Sequence, residues 1–336
     1  MPHPREWIEV RPQGVYCVPG DFYIDPLRPV DTAVITHGHA DHARAGHGHA
    51  LATPETLAIM QCRYGEEHAA KQTGLPYKTS HTLNGVNVSF YPAGHILGSA
   101  QAVLEFEGSR IVFAGDYKRR HDPTCAPFEC VPCDVFVTEA TFGLPVFTHP
   151  PIEQEVAKLL ESLRFFPERC HLVGVYALGK CQRVMLALRE AGYDRTLYLH
   201  GALVKLCELY EAHGIALGDW QAIGHMNKKE LAGEIVLAPP GQTADRWSRN
   251  LPEVMPAVAS GWMQIRARAK QRRVEMPLII SDHADWNELI QTLRDVDTPE
   301  IWVTHGREEA LVHYATRELG LKAQALSLLG YEEDGD

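Results

Sequence analysis

A single short segment constrains this chain more than any other feature of its sequence. The segment HGHADH at residues 37–42 places three imidazoles and one carboxylate in one loop, directly after the apolar run at residues 33–35. Imidazole nitrogens and carboxylate oxygens are the ligands that Zn²⁺ prefers and that Mn²⁺ accepts. We therefore predict a metal site at the end of a buried strand. A competing register that uses His47 and His49 as ligands is weaker, because no Asp-His pair follows it.

Three further candidate ligands stand alone elsewhere in the chain. His95 lies in the glycine-containing stretch PAGHILGS, Asp116 follows an apolar run, and His305 ends the apolar run at residues 301–304. Each occupies the end of an expected strand, and such positions let side chains from separate strands project into a shared cleft. Together with the 37–42 segment they complete the ligands for two metal ions.

Composition and charge exclude several classes of protein. Of the 336 residues, 45% are hydrophobic and 22% charged, and no apolar run approaches the roughly 20 residues that span a bilayer. The N-terminus lacks the basic start and apolar stretch of a signal peptide, and the eight cysteines lack the dense spacing of a disulfide scaffold. We therefore expect a soluble cytoplasmic protein with no membrane partner.

The formal charge of −11 argues against a protein that coats nucleic acid non-specifically, because phosphate binding needs clustered Lys and Arg. The charge does not exclude a nuclease, since metal ions can supply positive charge at the scissile phosphate. A second group of metal-binding residue types has a spacing that matches no two-knuckle zinc pattern, and whether it binds anything stays open. That group is His121, Cys125, Cys130 and Cys133.

The order of the expected elements predicts a split α/β fold. The first 140 residues alternate short apolar runs with turn residues, which is typical of strands, and Pro54–Tyr64 has the spacing of a helix. From Ile152 helices alternate with strands, and at Pro277 the chain returns to a strand like those of the first part. We therefore predict one domain interrupted by an insertion of roughly 130 residues.

These motifs resemble those of the metallo-β-lactamase superfamily, whose pattern would begin at Asp31. The resemblance implies an αββα sandwich that binds two divalent ions, Zn²⁺ or Mn²⁺, at one edge of its sheets. It also implies that Asp31 accepts a hydrogen bond that orients a ligand imidazole. The implied ligands are His37, His39 and His95 for the first ion, Asp41, His42 and His305 for the second, and Asp116 as the bridge.

Four further motifs resemble those of the β-CASP nucleases and occur in the same order. They are VTEATF at residues 137–142, YALGKCQR at 176–183, SDHAD at 281–285 and THG at 304–306. That group inserts a cap domain between two parts of the lactamase fold and cleaves DNA or RNA. The implied domains are a first metallo-β-lactamase part over residues 1–148, an α/β β-CASP cap over 149–276, and a second metallo-β-lactamase part over 277–336.

Within this group the chain most resembles the bacterial ligase-associated DNA exonucleases, relatives of the Artemis-type repair nucleases. The compact length and the stretch DPTCAPF at residues 122–128 carry this resemblance. It implies a DNA exonuclease that works in repair beside an ATP-dependent DNA ligase and a helicase. His305 favours the alternative of an RNA-processing endo- or exonuclease, because Artemis-type DNA enzymes usually lack a histidine there. A non-catalytic scaffold is least favoured, because every ligand position is filled.

The resemblance assigns the chemistry to Asp41, Asp116, Glu139 and His283. Two bound divalent ions activate water and neutralise charge on phosphate oxygens. His283 would contact the scissile phosphate or protonate the leaving oxygen, with Glu139 orienting it. From local sequence alone, the alternatives are a solvated strand-end carboxylate for Glu139 and a helix-capping group for His283.

Candidate substrate contacts are basic or hydroxyl side chains near these motifs. Lys118 closely follows Asp116, and Lys180 begins a helix after a glycine, where helix-terminus amides can add to its charge. The basic run RARAKQRR at residues 266–273 is as consistent with a solvated helix face as with a track for the phosphate backbone. The predicted contacts are Ser99, Lys118, Arg119, Lys180, Arg268 and Lys270.

Overall fold

The computed structural model describes residues 1–224 and 226–326. Within this part of the chain the backbone forms two compact units. Unit 1 contains Met1–Thr148 and the described residues from 283 to 326, and unit 2 contains His149–Asp282. Among the described residues no helix has both the length and the apolar content to cross a bilayer, and the longest, Ile152–Phe165, has 14 residues.

The elements are numbered in chain order. The strands are β1 (Ile8–Arg11), β2 (Gly14–Cys17), β3 (Phe22–Ile24), β4 (Thr32–Val34), β5 (His47–Ala52), β6 (Ala69–Gly74), β7 (Ser80–Leu83), β8 (Val86–Pro92), β9 (Ala100–Phe106), β10 (Ser109–Phe113), β11 (Val135–Ala140), β12 (His171–Gly174), β13 (Leu197–Leu199), β14 (Trp220–Ala222), β15 (Ile235–Ala238), β16 (Met255–Ala259), β17 (Met276–Leu278), β18 (Glu300–Gly306) and β19 (Lys322–Ala325). The α-helices are α1 (Pro54–Tyr64), α2 (Ile152–Phe165), α3 (Lys180–Glu190), α4 (Gly201–Ala212), α5 (Arg266–Gln271), α6 (Trp286–Asp295) and α7 (Glu308–Arg317). Short 3₁₀ helices cover Pro4–Glu6, Lys228–Leu231, Pro240–Ala244, Ser248–Asn250 and Gly261–Gln264.

Unit 1 is a sandwich of two sheets with a shared apolar core. One sheet has the strand order β1-β2-β3-β4-β5-β6, and the other has the order β19-β18-β11-β10-β9-β8-β7. Alternate residues of a strand face opposite sides of its sheet. Val34 therefore joins the inner core with Leu51 and Phe113, whereas Ala33 and Ile35 belong to the cluster on the other side of the first sheet.

Helices cover the outer face of each sheet. α1 packs Leu57 and Met60 against the first sheet. α6 and α7 cover the second sheet, where Leu293 and Leu311 pack with the buried strand residue Val112. The four layers confirm the predicted α/β fold with an αββα sandwich.

Strand direction brings several strand ends to one edge of the second sheet. β10, β11 and β18 run parallel, and β8 runs the same way because β9 pairs antiparallel with both β8 and β10. The loops that follow these strands therefore emerge at a common edge. In the first sheet β3, β4 and β5 are likewise parallel.

Unit 2 is a parallel α/β unit. Its sheet has the strand order β14-β13-β15-β12-β16-β17, and every adjacent pair is parallel. α3 lies between β12 and β13 in the chain and α4 between β13 and β14, as the crossovers of a parallel sheet require.

β17 changes one expected boundary. From the sequence we predict that the chain re-enters the first domain at residue 277, but β17 pairs with β16 in the sheet of unit 2. The Ile279 amide also donates to the buried Glu155 Oε2 at 2.9 Å, and the two units separate after Asp282. A short apolar edge strand has the same pattern in either sheet, so local sequence does not show which sheet it joins. The assignment of these units to the metallo-β-lactamase and β-CASP domains stays a prediction.

Candidate metal centre

The predicted ligands come together at the shared strand edge of unit 1. The 37–42 loop follows β4, His95 follows β8, Asp116 follows β10 and His305 lies at the end of β18. The ligand atoms form two groups, in each of which all atoms lie within 4.8 Å of one another, and Asp116 belongs to both. The groups are His37, His39, His95 and Asp116, and His42, Asp116 and His305.

A single oxygen, Oδ2 of Asp116, lies at the centre. It is 3.3 Å from His37 Nε2, 3.6 Å from His42 Nε2 and 3.7 Å from His95 Nε2. Asp41 contacts the same imidazole, and its Oδ2 lies 3.5 Å from His42 Nε2. The structure therefore brings together all seven side chains expected to be ligands, with Asp116 in the position of a bridge. Their binding of ions stays a prediction.

The nitrogens of these side chains include donors that suit a metal ion. The Nε2 atom of His37 is buried and makes no hydrogen bond within the described residues, although a carboxylate lies beside it. His95 Nε2 and His39 Nδ1 lie 3.0 Å apart, at hydrogen-bonding distance, so one of these nitrogens carries a proton and the other a lone pair. Lone pairs that converge on one region are what a cation requires.

Burial keeps most of these imidazoles neutral. It lowers the pKa of His37 and of His305 to about 4, with the charge of His42 contributing, and it holds the pKa of His95 well below its usual value. Burial opposes ionisation of Asp116, but the neighbouring imidazoles, His42 first, hold the pKa of that carboxyl well below its usual range. Neutral nitrogens and carboxylate oxygens are a donor set that suits Zn²⁺ or Mn²⁺.

The carboxylate that orients ligands is Asp25, and the prediction of Asp31 for this role is wrong. Asp25 follows β3 and is buried, and its Oδ2 lies 2.8 Å from His42 Nδ1. Asp31 is exposed, and its main-chain carbonyl accepts from the His49 amide where β4 meets β5. The missed signal is an aspartate placed directly after the apolar strand Phe22–Ile24, the same placement that identified Asp116.

Asp25 also fixes a second imidazole through Thr36. The Thr36 hydroxyl donates to Asp25 Oδ2 at 2.6 Å, and the Thr36 amide donates to Oδ1 at 2.7 Å. Because that hydroxyl proton is used, His37 Nδ1 must donate to the Thr36 oxygen, 3.0 Å away. His42 Nδ1 must likewise donate to Asp25, since a carboxylate only accepts. In their neutral forms both rings therefore direct Nε2 lone pairs toward Asp116.

His42 differs from its neighbours in charge. Burial would lower its pKa, but Asp41, Asp116 and Asp25 surround the ring and raise the pKa to about 10. In the absence of a cation the ring is therefore protonated on Nε2 at neutral pH. A metal ion held at this position would replace that proton, so its binding would release one proton.

Two glycines make the close approach of the ligand loops possible. Gly94 has a φ of +75°, and a Cβ there would collide with the Lys118 carbonyl oxygen. Gly115 has a φ of +59°, and a Cβ there would lie 2.8 Å from the Thr36 hydroxyl. A side chain at either position would separate the loop of His95 or of Asp116 from its neighbour.

A β-bulge redirects His305. In the pairing of β11 with β18, Glu139 lies opposite Thr304 but Ala140 lies opposite Gly306, so His305 is the extra residue. Its φ of +58° is in the left-handed region, which few non-glycine residues adopt. Bulges of this kind re-aim a side chain and are frequent beside active sites.

Glu139 and His283 form the expected pair beside the centre. Glu139 is buried, its Oε2 lies 3.0 Å from His283 Nδ1, and its Oε1 accepts from the Tyr117 amide at 2.8 Å. His283 Nδ1 is 4.0 Å from Asp116 Oδ2. Glu139 is therefore not a solvated carboxylate, and the helix cap of α6 is Asp285 rather than His283. The catalytic role of the pair stays a prediction.

Lys118 and Arg119, two of the predicted substrate contacts, both pair with carboxylates of α6. Lys118 is buried with Nζ 2.8 Å from Glu288 Oε2, and Arg119 donates to Asp295 at 2.7 Å. Burial opposes ionisation of Glu288, but the charges of Lys118 and Arg120 hold its pKa at about 2. The prediction that Lys118 binds phosphate is wrong, because closeness to a ligand in sequence does not fix the direction of a side chain. The Arg119 side chain is partly exposed, and its contact with substrate stays a prediction.

The other predicted substrate contacts divide into two kinds. Ser99 Oγ is buried and accepts from two amides of the His95 loop at 3.1 Å, and Lys180 is buried with Nζ 2.9 Å from Asp282 Oδ1, so neither serves as predicted. Arg268 and Lys270 lie on α5, where Lys270 is exposed and the Arg268 guanidinium stacks 3.9 Å from the centre of a tryptophan ring. Their contact with substrate stays a prediction.

The weaker register, with His47 and His49 as ligands, does not form. Both residues lie in β5, where His47 Nδ1 accepts from the Val30 amide at 3.2 Å and the His49 ring lies 2.9 Å from Thr73 Oγ1. Across the described chain neither belongs to a group of converging ligand atoms.

The chain is similar to proteins named as a ligase and as nucleases. It is 28% identical over 325 residues to a probable DNA ligase of Opitutus terrae, covering 93% of this chain and 30% of that protein. It is 30% identical over 243 residues to an endoribonuclease of Gibberella zeae, covering 59% of this chain and 29% of that protein. It is 33% identical over 144 residues to an endoribonuclease of Yarrowia lipolytica, covering 40% and 17%. The chain thus spans less than a third of the length of each of these relatives.

Similarity in structure shows the fold alone. A protein of unknown function from Enterococcus faecalis aligns with a TM-score of 0.59 and 13% identity, over 87% of this chain and 78% of that one. This likeness agrees with the mixed α/β architecture described above. No protein-family model matches the chain.

Proposed function

We propose that the protein is a two-metal-dependent nuclease of the β-CASP type, and that it hydrolyses phosphodiester bonds of DNA as an exonuclease in repair. The observation that carries this proposal is the meeting of two potential ion sites on Asp116, with the Glu139–His283 pair 4.0 Å from the same oxygen. Phosphodiester hydrolysis needs activated water, charge neutralisation and a proton for the leaving oxygen. Similarity to endoribonucleases supports this class of reaction.

The residues expected to hold the ions are those that converge in unit 1. When bound, two ions of Zn²⁺ or Mn²⁺ supply activation of water and neutralise charge on the phosphate oxygens. Asp25 and Thr36 keep two ligand rings in the required tautomer. The proposed ligands are His37, His39 and His95 for the first ion, Asp41, His42 and His305 for the second, and Asp116 for both.

Glu139 and His283 act on the proton. The Glu139 carboxylate accepts from His283 Nδ1, and the Tyr117 amide holds the other carboxylate oxygen in place. With Nδ1 engaged in this way, His283 gives the proton on Nε2 to the leaving oxygen of the cleaved strand. The buried negative charge of Glu139 stabilises the ring while it carries both protons.

DNA is the proposed substrate because the match to the Opitutus terrae protein spans nearly the whole chain, and that protein is named as a DNA ligase. The matched part is only 30% of that protein, so a segment similar to this chain occurs there in one polypeptide with other sequence. A nuclease that trims ends would act before a ligase that seals them. An ATP-dependent DNA ligase and a helicase, which the family resemblance implies, are the proposed partners.

RNA is the alternative substrate, and two observations favour it. The relatives from Gibberella zeae and Yarrowia lipolytica are named as endoribonucleases. RNA-cleaving members of the β-CASP group usually have a histidine at the position of His305. In this chain the His305 ring lies at the candidate metal centre, 5.2 Å from the ring of His42.

Matched single-stranded DNA and RNA oligonucleotides test the proposal. With Mn²⁺ or Zn²⁺ we expect the purified chain to degrade DNA faster than RNA of the same sequence, and labels at each end in turn report the direction. Asp116→Ala and His283→Ala should abolish the activity, whereas Asp31→Asn at an exposed position should retain it. Faster cleavage of RNA would establish the alternative. Full activity in both loss variants would refute the mechanism.

A further inference from the structure

Lys118 contacts the main chain of His283, which with Glu139 forms the proposed catalytic pair. Its buried Nζ donates to the main-chain carbonyl oxygen of His283 at 2.8 Å and to Glu288 Oε2 at 2.8 Å. In the chain it is two residues from Asp116. One ammonium group therefore connects the loop of the bridging carboxylate with the loop of the proposed proton donor.

Glu288 joins the same two loops a second time. Its Oε1 accepts from the Arg119 and Arg120 amides at 3.0 and 2.8 Å, and its Oε2 accepts from the Asp285 amide at 3.1 Å. The Arg120 guanidinium closes the network on Asp285 Oδ2 at 2.6 Å. A buried carboxylate with this many partners holds the segment after Asp116 against the first turn of α6.

Main-chain hydrogen bonds make the connection tighter. The Ala284 amide donates to the Tyr117 carbonyl at 2.7 Å, and the Tyr117 amide donates to Glu139, which in turn contacts His283 Nδ1. The ring and the backbone of His283 are thus both placed by the residues that follow Asp116.

We propose that Lys118 is a positioning residue that, with Glu288, sets the place of His283 relative to Asp116 and so aligns proton transfer with the attacked phosphate. The inference rests on the proposed function. Lys118 acts through the His283 carbonyl and touches no substrate. If the Lys118–Glu288 ion pair were purely structural, its removal would lower stability and would affect all substrates equally, whether or not their leaving group needs a proton.

Variants and substrates can separate these two possibilities. Lys118→Met alone would leave the Glu288 charge buried and unpaired, which destabilises a fold, so the main variant combines Lys118→Met with Glu288→Gln. Lys118→Arg keeps the charge. The control combines Lys78→Met with Glu129→Gln, an exposed ion pair of unit 1 with the same 2.8 Å separation.

Each protein is assayed on two phosphodiesters in single turnovers. A DNA oligonucleotide has an alkoxide leaving group that needs a proton. In bis(p-nitrophenyl) phosphate the nitrophenolate leaves without one. Bound metal is counted for every variant, and thermal unfolding confirms that each is folded.

We expect the paired variant to bind as many ions as the wild type, to lose about 10- to 100-fold on DNA, and to change little on the nitrophenyl ester. His283→Ala should show the same selectivity. Lys118→Arg should recover most of the DNA rate, and the control variant should match the wild type on both substrates.

Three results would overturn the inference. Equal losses on both substrates in the paired variant, beside a selective loss in His283→Ala, would make the lysine structural and leave the proposed function intact. Loss of bound ions from the folded paired variant would mean that Lys118 supports the metal site rather than His283. Equal losses in His283→Ala would overturn both the inference and the proposed proton donor.

Discussion

One buried carboxylate, Asp25, determines where two imidazoles at the centre carry their protons. It accepts from His42 directly and from His37 through the Thr36 hydroxyl. A metal ion takes the Nε2 lone pair, so the Nδ1 proton of each ring must be held on the opposite side. Without this acceptor either ring can rotate or change tautomer.

Asp25→Asn should weaken metal binding by about 10- to 100-fold, the usual effect of removing the partner of a ligating histidine. The amide nitrogen of Asn cannot accept from His42 Nδ1. Competition with a chromophoric chelator gives the affinity of each ion. Asp31→Asn is the matched control, because Asp31 is exposed and should tolerate the change. Equal affinities in the two variants would refute the role assigned to Asp25.

These two aspartates show which part of the site is visible in the sequence. The ligand types could be predicted, because their chemistry lies in residue identity. Asp25 reaches the centre only because β3 pairs with β4, which puts Ile24 beside Val34 and lets the Asp25 amide donate to the Val34 carbonyl at 3.0 Å. The local sequence pattern does not reveal that strand pairing. Asp31 closely precedes the ligand loop in sequence, and for that reason the family pattern assigns it the orienting role.

At the scale of elements, the turns that follow the strands determine how closely ligands approach. Comparing Gly115→Ala with Gly85→Ala separates the conformational penalty of a positive φ from the steric clash of an added Cβ. Both positions have positive φ, +59° at Gly115 and +87° at Gly85. At Gly85 nothing lies within 4 Å of the added Cβ, so Ala should cost only the conformational penalty of about 1–2 kcal/mol. At Gly115 the Cβ would meet Thr36 at 2.8 Å and displace the link to Asp25.

Gly115→Ala should therefore lower the free energy of unfolding by about 1–3 kcal/mol more than Gly85→Ala does. It should also weaken metal binding, which Gly85→Ala should not. Urea unfolding and metal titration of the two variants measure these differences. Identical behaviour would show that Thr36 moves without consequence for the ligands.

Glu288, in the first turn of α6, should make the free energy of unfolding depend on pH. The pKa of Glu288 falls from 4.5 in the unfolded chain to about 2 in the folded protein, so folding favours its charged form. The contribution, about 3 kcal/mol, is present above the unfolded pKa and is lost as the pH falls toward the folded pKa. The difference in unfolding free energy between the wild type and Glu288→Gln should stay constant from neutral pH to about pH 5 and shrink below it. A difference that does not vary with pH would contradict this assignment.

Elements with a strong apolar alternation could be predicted, and those without one could not. β8, with the sequence VNVSFYP, alternates buried with less buried residues. β6, with the sequence AAKQTG, lies at the edge of its sheet and buries only Ala69. An edge strand needs few apolar contacts, so its sequence does not differ from that of a loop.

At the scale of the whole chain, the site depends on topology. The ligands span residues 37–305, and they meet because strands that run in one direction deliver their ends to one edge. No local window of sequence contains this information. The resemblance to a known arrangement of motifs supplied it for the ligands, whereas it did not supply the surroundings of single side chains such as Asp31, Lys118 and Lys180.

Because the ligands come from segments far apart in the chain, metal removal should lower the stability of the folded protein. Ions that bind only the folded state stabilise it by about 3–4 kcal/mol at roughly 100 to 1,000 times the Kd, so excess chelator should lower the melting temperature by several degrees. Added Zn²⁺ or Mn²⁺ should restore it. Asp116→Ala lacks the shared oxygen and should respond little to chelator, whereas His49→Asn, outside the centre, should respond like the wild type. A wild-type melting temperature that is the same with saturating ion and with excess chelator would mean that these seven side chains hold no ion, and a hydrolytic mechanism built on them would fail.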